Sequence, residues 1–289
     1  MAGVDKNSSN QRAAVHLFPL QEARGVKSSE VLDALHQAQR RHPIREVWAS
    51  SLRLPTKLTE YISAVCQEFS TPVRQEAVLL LKRYVKQSAA AGVKPQNLQV
   101  VALTCANLAA KYWQQRGIPE QQLHWLSCNA FTRQDFIDAE VDVLRVLDCN
   151  VHWDGALLAE WVPLLLFLCE DLLLEASDMA VIMAVASHVI DILAFQDDLM
   201  SSYWPSELAA GTIQATIFLC TKSFEGFTFC RRVNHLCRIQ DCQISALSEK
   251  ILTAAIGKKG TELILEGSGS CELEPLPALP HGESDSEKL

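Results

Sequence analysis

Residues 98–113 read LQVVALTCANLAAKYW, and this stretch decides the fold. It is long enough for about four turns of helix, is small or apolar on nearly every side, and meets its one charge only at Lys111. A helix without a polar face has to be surrounded, so it belongs at the centre of a bundle rather than on its rim. Ala102, Cys105, Ala106, Ala109 and Ala110 let neighbouring helices approach, and Leu98, Val101, Leu103 and Leu108 fill the space between them. Lys111 emerges at the end of this hub, where a partner can meet it.

A chain of 289 residues with 48% apolar content supplies a core for two units of ordinary size. Net charge is −8 with a pI near 5.5, and no dense basic stripe appears, so direct nucleic-acid binding is not expected. The opening MAGVDKNSSNQR lacks the apolar centre of a secretory signal, so the ten cysteines are expected to be free thiols in a reducing compartment. Cys230, His235, Cys237 and Cys242 fall close together, but their spacing matches no paired-ligand pattern and sits inside helical periodicity. No metal or other cofactor is expected. The longest apolar run, 161–169, is too short to span a bilayer and is followed at once by Glu170 and Asp171. The sequence holds no Gly-rich phosphate loop, nucleophile elbow or zinc-protease helix, so no enzymatic activity is expected.

The helical signals come in a repeated order. Residues 1–27 are polar and aperiodic, and Ser28-Ser29-Glu30 starts a short helix that Pro43 stops, within an N-terminal extension of residues 1–54. Five helices follow over 56–69, 72–87, 97–114, 120–127 and 132–147, with Pro72 suited to a first turn and Thr132 to Asp135 forming a cap. Five more are predicted over 155–175, 177–195, 205–222, 227–238 and 240–256. The centre of the second set, LAAGTIQATIFLC at 208–220, mixes small and branched residues as the first hub does. The two hubs lie about 107 residues apart, an internal duplication of one supersecondary unit, here 55–153 and 154–256. Residues 257–289, with seven acids against three lysines and PLPALP at 275–280, are expected to be disordered.

Two five-helix units, each with a buried small-residue third helix, resemble the layout of the cyclin family. LQVVALTCANLAAKYW is similar to the cyclin-box segment ending Leu-Ala-Ser-Lys-Phe, and FTRQDFIDAEVDVLRVLDCNV at 131–151 to the fifth helix, where an acid precedes a Val-Leu-Lys-Val-Leu run. The resemblance is clear over 55–153 and rests on helix order and length over 154–256. It implies an all-α fold of two tandem cyclin boxes, with a flexible N-terminal extension and a disordered tail. It also implies a non-catalytic regulator whose partner is a cyclin-dependent kinase, bound through Lys111, Glu140, Tyr112, Leu144, Leu147 and Val151. Within the family the chain looks most like an animal cyclin-like group tied to meiotic prophase and crossover formation. That implies meiotic recombination or replication factors as further partners and a nuclear, chromosome-associated location with a cytoplasmic pool.

The ion pair itself has two readings. An ordinary interhelix salt bridge adds little stability when exposed. If the fold required it, the second unit should repeat it, yet the duplication puts Phe218 and Leu247 at the matching positions. A binding role is therefore favoured. Trp113, Trp125 and Tyr112 are read as packing residues rather than separate hot spots, although Tyr112 follows Lys111 where cyclins have Phe. The family's substrate-docking patch, a Met-Arg-Ala-Ile-Leu run, falls on PTKLTEYI at 55–62, where Thr56, Thr59 and Ile62 stand instead; Gln99 alone matches. Specificity is thus expected from the N-terminal residues or from co-localisation. The alternative reading is a cyclin-fold scaffold that recruits chromosome or replication factors without a kinase.

Overall fold

The computed structural model describes residues 28–41, 44–49, 54–93, 97–169, 176–220 and 225–267. Among these residues there are thirteen helices and no strand. They are α1 (Ser28–Arg41), α2 (Ile44–Trp48), α3 (Thr56–Val65), α4 (Thr71–Ala90), α5 (Leu98–Gln114), α6 (Glu120–Leu126) and α7 (Arg133–Val146). After a linker come α8 (Leu158–Leu168), α9 (Ala176–Leu193), α10 (Asp197–Ser202), α11 (Pro205–Cys220), α12 (Glu225–Cys237) and α13 (Asp241–Gly267). None of the described helices is long and apolar enough to cross a membrane.

The hub is where its composition puts it. Every residue of α5 from Val100 to Ala110 is buried, and the helix packs against α3, α4 and α7. Asn97 caps its start by accepting from the Gln99 amide at 3.0 Å. The second hub, α11, is buried from Leu208 to Ile217 and packs against α8, α9, α12 and α13. Gly211 lies so close to α13 that a Cβ there would stand 2.9 Å from Ile251 Cδ1. The units meet across α4: Arg74 Nε donates to Asp191 Oδ1 at 2.8 Å on α9, Lys82 pairs with Asp197 on α10, and Gln75 Oε1 accepts from Ala159 N at 2.9 Å on α8.

The extension is the largest difference from the sequence reading. Its expected short helix is α1, but α2 follows, and both are part of the core rather than a flexible lead: Leu32, Ile44, Val47 and Trp48 are buried. His36 Nε2 contacts Leu236 O at 3.2 Å, Gln39 Nε2 donates to Ser206 Oγ at 3.1 Å, and Arg45 Nη2 donates to Ser202 O at 2.7 Å. α2 and α10 are too short for hydrophobic periodicity to register, so neither is legible as a helix. Residues 1–27 lie outside the described residues.

Two boundaries also shift. Gly155 has φ +70, which cannot continue a helix, so α8 starts at Leu158; a Cβ at Gly155 would stand 2.9 Å from Leu35 O, where α1 crosses the linker. α13 runs to Gly267 after a break at Gly257 (φ 76, ψ 163), so the element continues eleven residues past the expected end of the second unit, into the stretch expected to be disordered. The remaining tail, 268–289, lies outside the described residues.

Candidate functional site

Lys111 stands in the last turn of α5, where a cation complements the helix C-terminus. One turn earlier Asn107 Oδ1 accepts from the Ile118 amide at 2.7 Å, tying down the loop that leaves the hub. That loop passes through Gly117, where a Cβ would lie 2.6 Å from Asn107 Oδ1 and 3.1 Å from Lys111 Cγ, so only glycine admits the crossing. α7 is started by a reciprocal cap, Thr132 Oγ1 accepting from Asp135 N at 3.2 Å and Asp135 Oδ2 from Thr132 N at 2.7 Å. Tyr84 in α4 donates to Asp142 at 2.6 Å and fixes the helix against the first unit. These constraints place Glu140 opposite Lys111, with Nζ 2.6 Å from Oε1 and 2.8 Å from Oε2. The side chains remain 45% and 28% exposed, so the pair is a surface feature that adds little to stability.

The other expected site residues divide. Tyr112 is 46% exposed beside Lys111, and Leu144 and Val151 are half-buried against the core. Leu147 is only 2% exposed; it supports the surface from inside and offers a partner nothing. Missing from the sequence reading are Ile137 and Val141, which are 44% and 49% exposed on α7 and flank Glu140 one turn apart. Beside them lies a shallow cavity of about 150 Å³ lined by Asn107, Ile118, Leu123, Phe136, Ile137 and Glu140. The signal was present: α7 carries more apolar residues than one buried face requires. Trp125 is also corrected. It is 74% exposed and does not pack, whereas Trp113 packs against the core as expected.

Behind Tyr112 is a charged cluster that no sequence motif announces. The Tyr112 ring stacks on His152 at 4.6 Å between centroids, and Trp113 meets the same imidazole edge-on at 5.3 Å. His152 Nδ1 lies 2.5 Å from Oε2 of Glu76, a carboxylate with no solvent exposure. Burial lowers the His152 pKa, but the carboxylates of Glu160 and Glu76 outweigh it and push it up to about 10. The neighbouring Arg83 is buried with its guanidinium 4.0 Å from the Trp153 ring centroid and Nη2 donating to Asn150 O at 2.6 Å, and burial brings it down to about 10. Elsewhere, Cys230 and Cys237 are buried and His235 is exposed. Burial pushes the Cys230 thiol up to about 12 and Cys237 upward as well, which disfavours the thiolate a metal requires. The Cys242 side chain lies outside the description.

The fold defines a class, the all-α cyclin fold. Residues 30–152 match the family described as Cyclin, N-terminal domain, a span that takes in α1 and α2 as well as α3 to α7. The chain is similar in structure to a viral cyclin from herpesvirus saimiri solved by X-ray methods, with a TM-score of 0.64, 20% identity, and coverage of 78% of this chain and 96% of that one. No curated protein matches the sequence. The cyclin fold is a regulatory fold rather than a catalytic one.

Proposed function

We propose that the protein is a non-catalytic regulator that binds a protein kinase of the cyclin-dependent class through Lys111 and Glu140. One observation carries this reading: a bidentate, half-exposed ion pair at the end of the buried hub, bordered by the exposed apolar side chains of Tyr112, Ile137 and Val141. Such a surface offers a charged anchor inside an apolar ring, and a kinase helix docked on it is held in one of its two positions. The regulator then acts by binding one kinase conformer better than the other. The sequence resemblance to cyclin N-terminal domain-containing protein 1 supports meiotic prophase and crossover formation, in the nucleus, as the setting.

The test is co-purification of the full chain with cyclin-dependent kinases from meiotic tissue, followed by a kinase assay on the recovered complex. A kinase retained by the wild-type protein and lost with Lys111→Ala supports the proposal. Recovery of chromosome or replication factors without any kinase replaces it with the scaffold reading.

A further inference from the structure

The cluster behind Tyr112 has the geometry of a metal site. His152 Nε2 stands 3.4 Å from Asp154 Oδ1 and 3.4 Å from Glu160 Oε1. Ligands about 2.0–2.1 Å from a tetrahedral zinc ion are separated from one another by roughly 3.3–3.4 Å, the edge of that tetrahedron. The three ligand atoms all lie within 4.8 Å of one another. Two of the three are also oriented. Glu160 Oε2 accepts from the Leu157 amide at 3.2 Å at the start of α8, which leaves Oε1 turned to the imidazole. The Nδ1 side of His152 is occupied by Glu76 Oε2 at 2.5 Å, and Trp113 Nε1 donates to the same oxygen at 3.4 Å. A buried carboxylate behind a ligating histidine is the arrangement that fixes ring orientation and raises ligand basicity in zinc proteins. The other oxygen of Glu76, Oε1, is buried without a hydrogen-bond partner.

We propose that His152 Nε2, Asp154 and Glu160 bind one zinc ion, with Glu76 as the carboxylate that positions His152. Asp154 is exposed, so a water completes the coordination on the solvent side. Zinc takes the place of the Nε2 proton, which leaves to solvent, so uptake releases a proton and strengthens as pH rises. The ion joins the linker to α8 while Glu76 holds the ring to α4, and Tyr112 lies directly over the imidazole. The site thus rigidifies the linker between the two units at the edge of the surface carrying Lys111, and it stands whether or not that surface receives a kinase.

The experiment is calorimetric titration of the purified full chain with zinc chloride, with magnesium chloride as the comparison and cobalt(II) absorption to report ligand type. One equivalent of zinc, little response to magnesium, and a cobalt spectrum without thiolate charge transfer are expected. Asp154→Asn and Glu160→Gln should each weaken zinc by at least about tenfold, and Glu76→Gln by about 10–100-fold. Because His152→Ala strands a buried Glu76 and risks unfolding, the solvent-exposed Asp154→Asn decides. Absence of stoichiometric zinc binding, full-strength binding in Asp154→Asn and Glu160→Gln, or a thiolate band in the cobalt form each overturns the proposal.

Discussion

Lys111 Nζ bridges both carboxylate oxygens of Glu140, at 2.6 and 2.8 Å, joining the last turn of α5 to the middle of α7 across 29 residues of sequence. The equivalent places in the second unit hold Phe218, which is exposed, and Leu247, which is buried, so that hub closes without an ion pair. Lys111→Ala and Glu140→Ala should each change unfolding free energy by less than about 1 kcal/mol. Kinase capture should fall by tenfold or more, because the remaining charge is stranded at the interface. Chemical denaturation and a binding titration measure the two effects separately, and undiminished capture by both variants reduces the pair to surface chemistry.

Ala106 is fully buried at the middle of α5. Replacing it with leucine adds methylenes where α4 and α7 already close on the hub, and overpacking of this kind costs about 1–3 kcal/mol. Thermal unfolding should show a lower Tm. An unchanged melt would remove the hub from the centre of the first unit.

Trp48 in α2 tests whether the N-terminal helices belong to the core. It is buried, with Lys82 Nζ 4.5 Å from its ring centroid. Trp48→Ala should cost about 3–5 kcal/mol, and by the same logic removing residues 1–50 destabilises the fold instead of detaching a targeting segment. A variant that denatures at the wild-type urea midpoint contradicts this.

His36 gives the molecule an acid limit. Burial holds its pKa below the usual 6.5, with Arg238 and Arg40 acting in the same direction and the Leu236 carbonyl and Asp33 opposing. The neutral ring fits its surroundings, Nε2–H donating to Leu236 O and Nδ1 accepting from Gln39 Nε2, each at 3.2 Å. In the unfolded chain the same residue takes a proton near pH 6.5. Stability from this group is therefore present above that pH and is lost as pH falls from about 6.5 through the lowered native value. Trp161, 4.9 Å away in an edge-on contact, reports the event by fluorescence. His36→Gln should flatten the acid limb between pH 7 and 5, and an identical pH profile in that variant removes His36 as its source.

Short Arg-x-Leu peptides should not bind. At 55–62, Leu58 and Ile62 are buried and Thr59 is half-buried, so neither large apolar side chain is available to a peptide beside Gln99. Heteronuclear NMR with such a peptide should leave the Ile62 and Gln99 amide shifts in place at millimolar peptide, and saturable shifts there would reveal a groove.

The two hubs were readable because small and apolar residues on every side of a helix leave it only one place to go. Lys111 and Glu140 were readable through resemblance, and their contact through the helices that hold them. What escaped depends on features without period. α2 and α10 have five and six residues, and the exposure of Trp125 is decided by which neighbours arrive, not by its own chemistry. The His152 cluster draws Glu76, Tyr112, Asp154 and Glu160 from α4, α5, the linker and α8, and no local spacing brings such a set together.

The docking of α1 bears on how the chain is made. His36 meets Leu236 across 200 residues, and Gln39 meets Ser206 across 167. At about 5–20 residues per second of synthesis, the surface that receives α1 emerges roughly 10–40 s after α1 itself. The first hub and its neighbours can close within that interval, but His36 has no permanent cover until the second unit follows, since Leu236 and Trp161 both lie there. A ribosome paused between the two units therefore carries a nascent chain with an amphipathic helix still waiting for its seat, and this is the stage at which chaperone contact and misassembly concentrate.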